Sequence, residues 1–448
     1  MTHKFASTWR LLLAPLLLAM AGAATAQPPD PTEGGKGGRI IRVTTLAEDG
    51  PGSLAEALAA KGPRIVVFEV GGAIDLGRTV LDIREPYLTI AGQTAPSPGI
   101  TLLRGGIDVH AHDVKISNIR VLTGADGQPP LSGWEADAFS TVGAHDVVVE
   151  NCTFMWGIDE NMSASGPRFT GTTLAEWREG TSRNVVFRLN LAAEGLANAS
   201  HPKGEHSKGS LIHDNATGIV FDRNIWAHNV ERAPLVKGGA QVLMVNNLIY
   251  NPQHRALHYN LMDLEWVGHA PVTGEITAVG NVLRGGNDTD EGLPFLMLGG
   301  VGDLAWYGRD NRAVDRHGNA LPQFGRYGET GARLIEPETP LADLAGYQVL
   351  PSGDVETTLL ATAGARPWDR GAEEIRVLFF IAEGRGDVLD SEAEVGGYPK
   401  IEPSRAPFLE ADWNLETMTP KSGLYPGQKP GAQDHLSPRD RAMRVGGQ

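Results

Sequence analysis

Six stretches of the chain share one shape, in which an apolar pair and an alternation lead to an asparagine and another apolar residue. They are VKISNIRV with Asn118, VVVENCTF with Asn151, VVFRLNLA with Asn190, IVFDRNIW with Asn224, VLMVNNLIY with Asn247 and ITAVGNVL with Asn281. Successive asparagines are 33, 39, 34, 23 and 34 residues apart. A unit of that length cannot bury an apolar face alone, so the recurrence predicts a solenoid in which each copy covers the next. Valine and isoleucine alternate with polar residues and no 3.6-residue period appears, so the copies read as strands. The shortest gap sets a coil of about 23 residues, with the longer gaps carrying side loops. Asparagine is common in any turn. Here, repeated after the same apolar pattern, it predicts side chains that hydrogen-bond from coil to coil at a buried bend.

The rest of the chain fits around this core. Fifty-six glycines, 29 prolines and 6% aromatic residues favour turn-rich β structure in a chain of 448 residues. Lys4 and Arg10 precede an apolar run from Leu11 to Ala21, and Ala24-Thr25-Ala26 has the small-x-small form of a cleavage site. Residues 1–26 therefore read as a secretory signal cut before Gln27, the run being shorter than the roughly 20 residues of a bilayer span. The mature chain is expected to be secreted or periplasmic, free of the membrane and monomeric. Export permits disulfides, but Cys152 is the only cysteine and is expected to be a small buried side chain. Residues 27–38 read as a flexible leader, 39–300 as the solenoid and 301–448 as an extension packed on it. Ser53 heads SLAEALAAKG, which has the composition of a helix suited to capping the apolar end of a stack. Residues 356–382 look helical on either side of Pro367.

A formal net charge of −15 argues against a general nucleic-acid binder. A polyanionic ligand would need a local basic strip or a bound cation. Glu135 and Asp137 precede the strand of Asn151, and Asp159 and Glu160 follow it; Asp137 and Asp159 lie one coil apart and should stack. Carboxylates held that close repel unless a cation lies between them, and oxygen-only ligands suit calcium. Lys208 precedes the strand of Asn224, and Arg232 and Lys237 follow it as Arg-x-Pro-x-x-Lys, placing cations towards those acids. Strand cations more often sit in weak surface ion pairs. His201 and His206 alone do not make a zinc site, since no third ligand stands at a recognisable spacing. Trp134, Trp156 and Trp226 either pack the core or stack on sugar rings.

The ordered segments EADAF, VVVENCTFMWGIDENMS, HSKGSLI, ERAPLVK and VNNLIYN resemble the pectate lyase family of right-handed parallel β-helix proteins. TIAGQTAPSPGITL and VGGYP resemble a bacterial branch of it. The resemblance covers roughly residues 39–290 and implies an all-β, right-handed parallel β-helix and a calcium-assisted lyase acting on a polyuronate such as pectate. By position it implies Asp137, Asp159, Glu135 and Glu160 as calcium ligands, Lys208 and Lys237 as groups that grip substrate, and Arg232 as the residue that removes the C5 proton. The chain departs from the family in three places. Ser163 stands where a last calcium acid is expected, VENC replaces IDHC, and Lys237 replaces an arginine, keeping the charge but losing the planar fork. A β-helical glycosidase would share fold and export, but the clustered aspartates and Gly-His-Gly segment of polygalacturonases do not appear. A non-catalytic carbohydrate-binding solenoid would bind polymer without cutting it.

Overall fold

The computed structural model describes residues 30–430, so the expected signal, residues 1–26, lies outside the described residues. The chain winds as a right-handed parallel β-helix with three strand faces. The first face holds eleven strands in chain order, from Arg39–Val43 to Leu334–Ile335. A second face carries Ile119–Leu122, Thr153–Met155, Leu191–Ala193, Ile225–Ala227, Leu248–Tyr250 and Val282–Arg284. A third carries Phe139–Val142, Ser163–Ser165, Leu211–Ile212, Leu235–Lys237, Leu257–Leu261 and Leu296–Gly300. The last two faces merge in the early coils, where Ile100–Val109 pairs with strands of both. Coil register stacks like on like: Val185, Ile219, Val242 and Ile276 align in one buried column. Phe187 and Phe221 stack with centroids 5.1 Å apart at 13°. Strands continue past residue 300, where the asparagine pattern fades from the sequence, because Leu304–Arg309 still pairs with Gly274–Val279.

The asparagine ladder exists, with one shift of frame. Asn190 donates to Asn224 Oδ1 at 3.0 Å, Asn224 to Asn247 at 3.1 Å, Asn247 to Asn281 at 2.8 Å and Asn281 to Asn311 at 2.9 Å. Glu150 pairs with Arg188, so the residue level with Asn190 is Cys152, whose N–H donates to Asn190 Oδ1 at 2.8 Å. Asn151 and Asn118 stand one place earlier, at φ values of 47° and 59° that asparagine tolerates better than most residues. Their amides bond instead to carbonyls of Thr362, Gly364 and Ala365 in the extension.

Helix α1, Leu54–Ala59, is capped by Ser53, which accepts from Glu56 N at 3.1 Å, and buries Leu54, Ala57 and Leu58 against the first strands. A short α2, Leu174–Gly180, lies in a side loop. Helices α3, Ser352–Thr362, and α4, Ala372–Glu383, cover the outside of the second face. Val355, Leu359, Val377 and Ile381 meet Met155, Leu191, Ile225 and Leu248 there. Glu374 of α4 is buried and pairs with Arg120 Nε at 2.6 Å, tying the extension to the solenoid. The described part of the leader is anchored, since Asp30 pairs with Lys115 at 2.7 Å and Arg188 at 3.1 Å. Among the described residues no helix is long and apolar enough to cross a membrane.

Candidate active site

The charged residues converge where successive coils enter the third face. Glu160, Lys208 and Glu231 stand in parallel register, one per coil. Ala138 N donates to Glu160 O at 2.9 Å, which puts Asp137 in the preceding coil; Ala233 N donates to Ala256 O at 3.1 Å, which puts Arg255 one coil beyond Arg232. The stacked partner of Asp137 is therefore Glu160 rather than Asp159, because Ser140 pairs with Ser163. All three acids still meet, with ligand oxygens within 4.8 Å of one another. The loop carrying them is held from below. Asn161 accepts from Gly157 N at 2.9 Å and donates to Asn229 at 2.9 Å, and Trp156 Nε1 donates to Glu194 at 3.1 Å. Trp156 and Trp226 are wholly buried, so they pack the core; Trp134 is half-buried and donates to Gly124 O.

Each cation here meets an acid. Arg232, at a left-handed φ of 65°, pairs with Glu160 through Nη1, and its Nε lies 3.9 Å from Glu231. Lys208 Nζ lies 2.7 Å from Glu231 Oε1, and Arg255 pairs with Glu231 Oε2. Lys237 faces a different acid. It is 5% exposed and paired with Glu265, which also lies 3.3 Å from Arg168. Glu265 sits in a short turn pinned by Trp266, whose Nε1 donates to Asp214 at 2.7 Å. Glu135 lies outside the converging acids, with Oε2 3.4 Å from His201 Nε2.

Burial, with Glu160 and Asp159 alongside, pushes the Asp137 carboxyl well above the usual range. Burial raises Glu160 to about 7, against the pull of Arg232 and with a push from Asp159. Burial also raises Asp159, but His206, Arg232 and His201 more than offset it and leave it at about 2. Lys208 is lowered to about 8 by burial and by the like charges of Arg232 and Arg255. Three acids with this mutual repulsion form an oxygen-only donor set suited to a hard cation.

His201 and His206 stack with centroids 3.3 Å apart, and their Nε2 atoms lie 3.6 and 3.2 Å from Asp159 oxygens. Lys203 N–H donates to His201 Nδ1 at 3.1 Å, so neutral His201 carries its proton on Nε2. That atom faces the carboxylates as a donor, which takes His201 out of any zinc ligand set despite the nearby third ligand. Glu231 and Arg255 were not picked out from the sequence. Arg255 follows Arg232 by 23 residues, the length of the shortest coil, so the repeat itself carried the signal.

No family model matches the chain. It is similar to proteins named probable pectate lyase C. The protein of Aspergillus terreus is 33% identical over 219 residues, covering 49% of this chain and 45% of that protein. That of Emericella nidulans is 34% identical over 220 residues, covering 49% and 44%. That of Neosartorya fischeri is 32% identical over 252 residues, covering 54% and 52%. The chain thus spans about half the length of the curated relatives it matches. A solved pectate lyase of Bacillus sp. N165, in complex with trigalacturonate, is similar at 13% identity with a TM-score of 0.49, covering 74% of this chain and 95% of that one. The family resemblance carried by the motifs is borne out by the curated relatives.

Proposed function

We propose that the chain is a secreted polysaccharide lyase that cleaves pectate or a related polyuronate by calcium-assisted β-elimination, acting as a monomer. The observation that carries this reading is the juxtaposition of Asp137, Asp159 and Glu160 with Lys208, Arg232 and Arg255 on adjacent coils. Curated relatives with the lyase name, and the export pattern of residues 1–26, support it. Asp137, Asp159 and Glu160 would hold the calcium, with Glu135 in reach of the same region through His201. Calcium there would supply positive charge to a uronate carboxylate and so ease loss of the neighbouring C5 proton.

Lys208 and Arg255 meet the substrate carboxylate and stabilise the charge that builds on it; Lys237 stands apart from them, paired with Glu265. Arg232 takes the C5 proton in its neutral form, after losing one proton to solvent, or stays a guanidinium that stabilises the developing charge while a water takes the C5 proton. The C5–H electron pair becomes the C4–C5 double bond as the C4–O bond breaks, and the glycosidic oxygen leaves with a proton from solvent. The test follows ultraviolet absorbance of the conjugated product on polygalacturonate, alginate and methylated pectin, with and without a calcium chelator. Absorbance that rises on polygalacturonate and is suppressed by chelator is the expected result. New reducing ends without absorbance would instead mark a hydrolase, and polymer binding without new ends a non-catalytic solenoid. A chelator-insensitive rate would remove the calcium assignment alone.

A further inference from the structure

Glu231 is a buried carboxylate wedged among cations from three consecutive coils: Lys208 before it, Arg232 beside it and Arg255 after it. Both of its oxygens are engaged by cations, Oε1 by Lys208 at 2.7 Å and Oε2 by Arg255, so it is not placed to hold a metal. Its sign also excludes it from gripping a uronate. It is 6% exposed, and its backbone is fixed by the parallel bridge to Lys208. Without it, like charges on adjacent coils would repel each other out of the positions they now share. Meanwhile the Arg232 and Arg255 side chains stay 22% and 31% exposed, against 8% for Lys208, so the two guanidiniums are the groups of the cluster open to an incoming anion. A carboxylate that gathers three cations while two of them stay open to solvent is arranged for an incoming anion more than for closing a network.

We propose that Glu231 is the positioning residue of this cation cluster. It presets the spacing of Lys208, Arg232 and Arg255 so that their remaining donors meet one uronate unit. This rests on the lyase reading above. Removing its charge has two opposed effects. The cluster becomes more positive and attracts a polyanion at least as well, but its groups no longer stand where the transition state needs them. Binding and turnover therefore separate.

The test compares Glu231→Gln and Glu231→Asp with the unaltered full-length chain on polygalacturonate, together with a crystal structure of each variant. For Glu231→Gln the expected result is a kcat at least tenfold lower with KM unchanged or lower. Glu231→Asp, which keeps the charge, should recover part of kcat. In the Glu231→Gln crystal, Lys208 and Arg255 should leave their present positions. A kcat equal to that of the unaltered chain, a raised KM with kcat unchanged, or Lys208 and Arg255 still in place overturns the proposal. If Glu231→Gln fails to fold, an Asp variant with full kcat and unmoved cations does the same. An unaltered chain that releases no absorbing product refutes the lyase reading, and the crystal comparison still decides the role of Glu231.

Discussion

Arg232 combines a left-handed backbone with a guanidinium held by Glu160, a costly placement in the middle of a strand-rich segment. Lysine there keeps one charge and loses the fork, so Arg232→Lys is expected to cut the ultraviolet-absorbing product more than a hundredfold. Thermal unfolding of the variant should stay within a few degrees of the unaltered chain, and activity within threefold would remove Arg232 from the mechanism. The two lysines should part company in the same assays. Lys208→Ala is expected to raise KM for polygalacturonate about tenfold or more. Lys237→Ala is expected to move KM less and to cost about 2 kcal/mol in urea unfolding, between values for exposed and fully buried pairs. The motif made Arg232 and Lys208 legible because the chain spacing was informative by itself. The motif does not carry what Lys237 touches, because that is decided by Glu265, 28 residues away on a side loop.

The elements show the same division. The strands and their coil period were readable, since burial imposes alternation on every copy. The frame of the asparagine ladder was not, because Asn118 and Asn151 follow the same apolar pattern but stand one place before the stacked position. Only the register of Glu150 against Arg188 separates the two sites. The helical composition of residues 356–382 was legible as α3 and α4; their docking on the second face was left to contacts from distant sequence, chiefly Glu374. Burial raises that carboxyl, but Arg120, Arg370, Thr153 and the Gly371 N–H overcome it and leave it at about 2, against an ordinary 4.5. A folded value below the unfolded one adds stability that is full above about pH 4.5 and is lost as pH falls towards 2. The shift corresponds to about 3 kcal/mol. Glu374→Gln is expected to lose about that much at pH 7 and to flatten the acid limb, as read from urea midpoints between pH 7 and pH 3. An unchanged limb would assign acid sensitivity to other groups.

Over the whole molecule, the acids that suit a cation and the arginine of the cation cluster share one side chain. Glu160 belongs to the converging trio and to the Arg232 pair at once. A cation that draws on Glu160 competes with the guanidinium, and the coupling is reciprocal. Arg232→Gln is therefore expected to bind calcium more tightly by calorimetry, about tenfold, and Asp137→Asn to bind it more weakly. Equal or weaker calcium binding by Arg232→Gln would separate the two functions of Glu160.

Adjacent coils are one strand spacing apart, about 4.8 Å, so Glu160, Lys208 and Glu231 mark out a ruler whose graduations belong to the backbone. Loops of unequal length hang between the marks without moving them. A graft that exchanged one of those loops would change what the polymer meets along its flanks and leave the scale against which it is measured untouched.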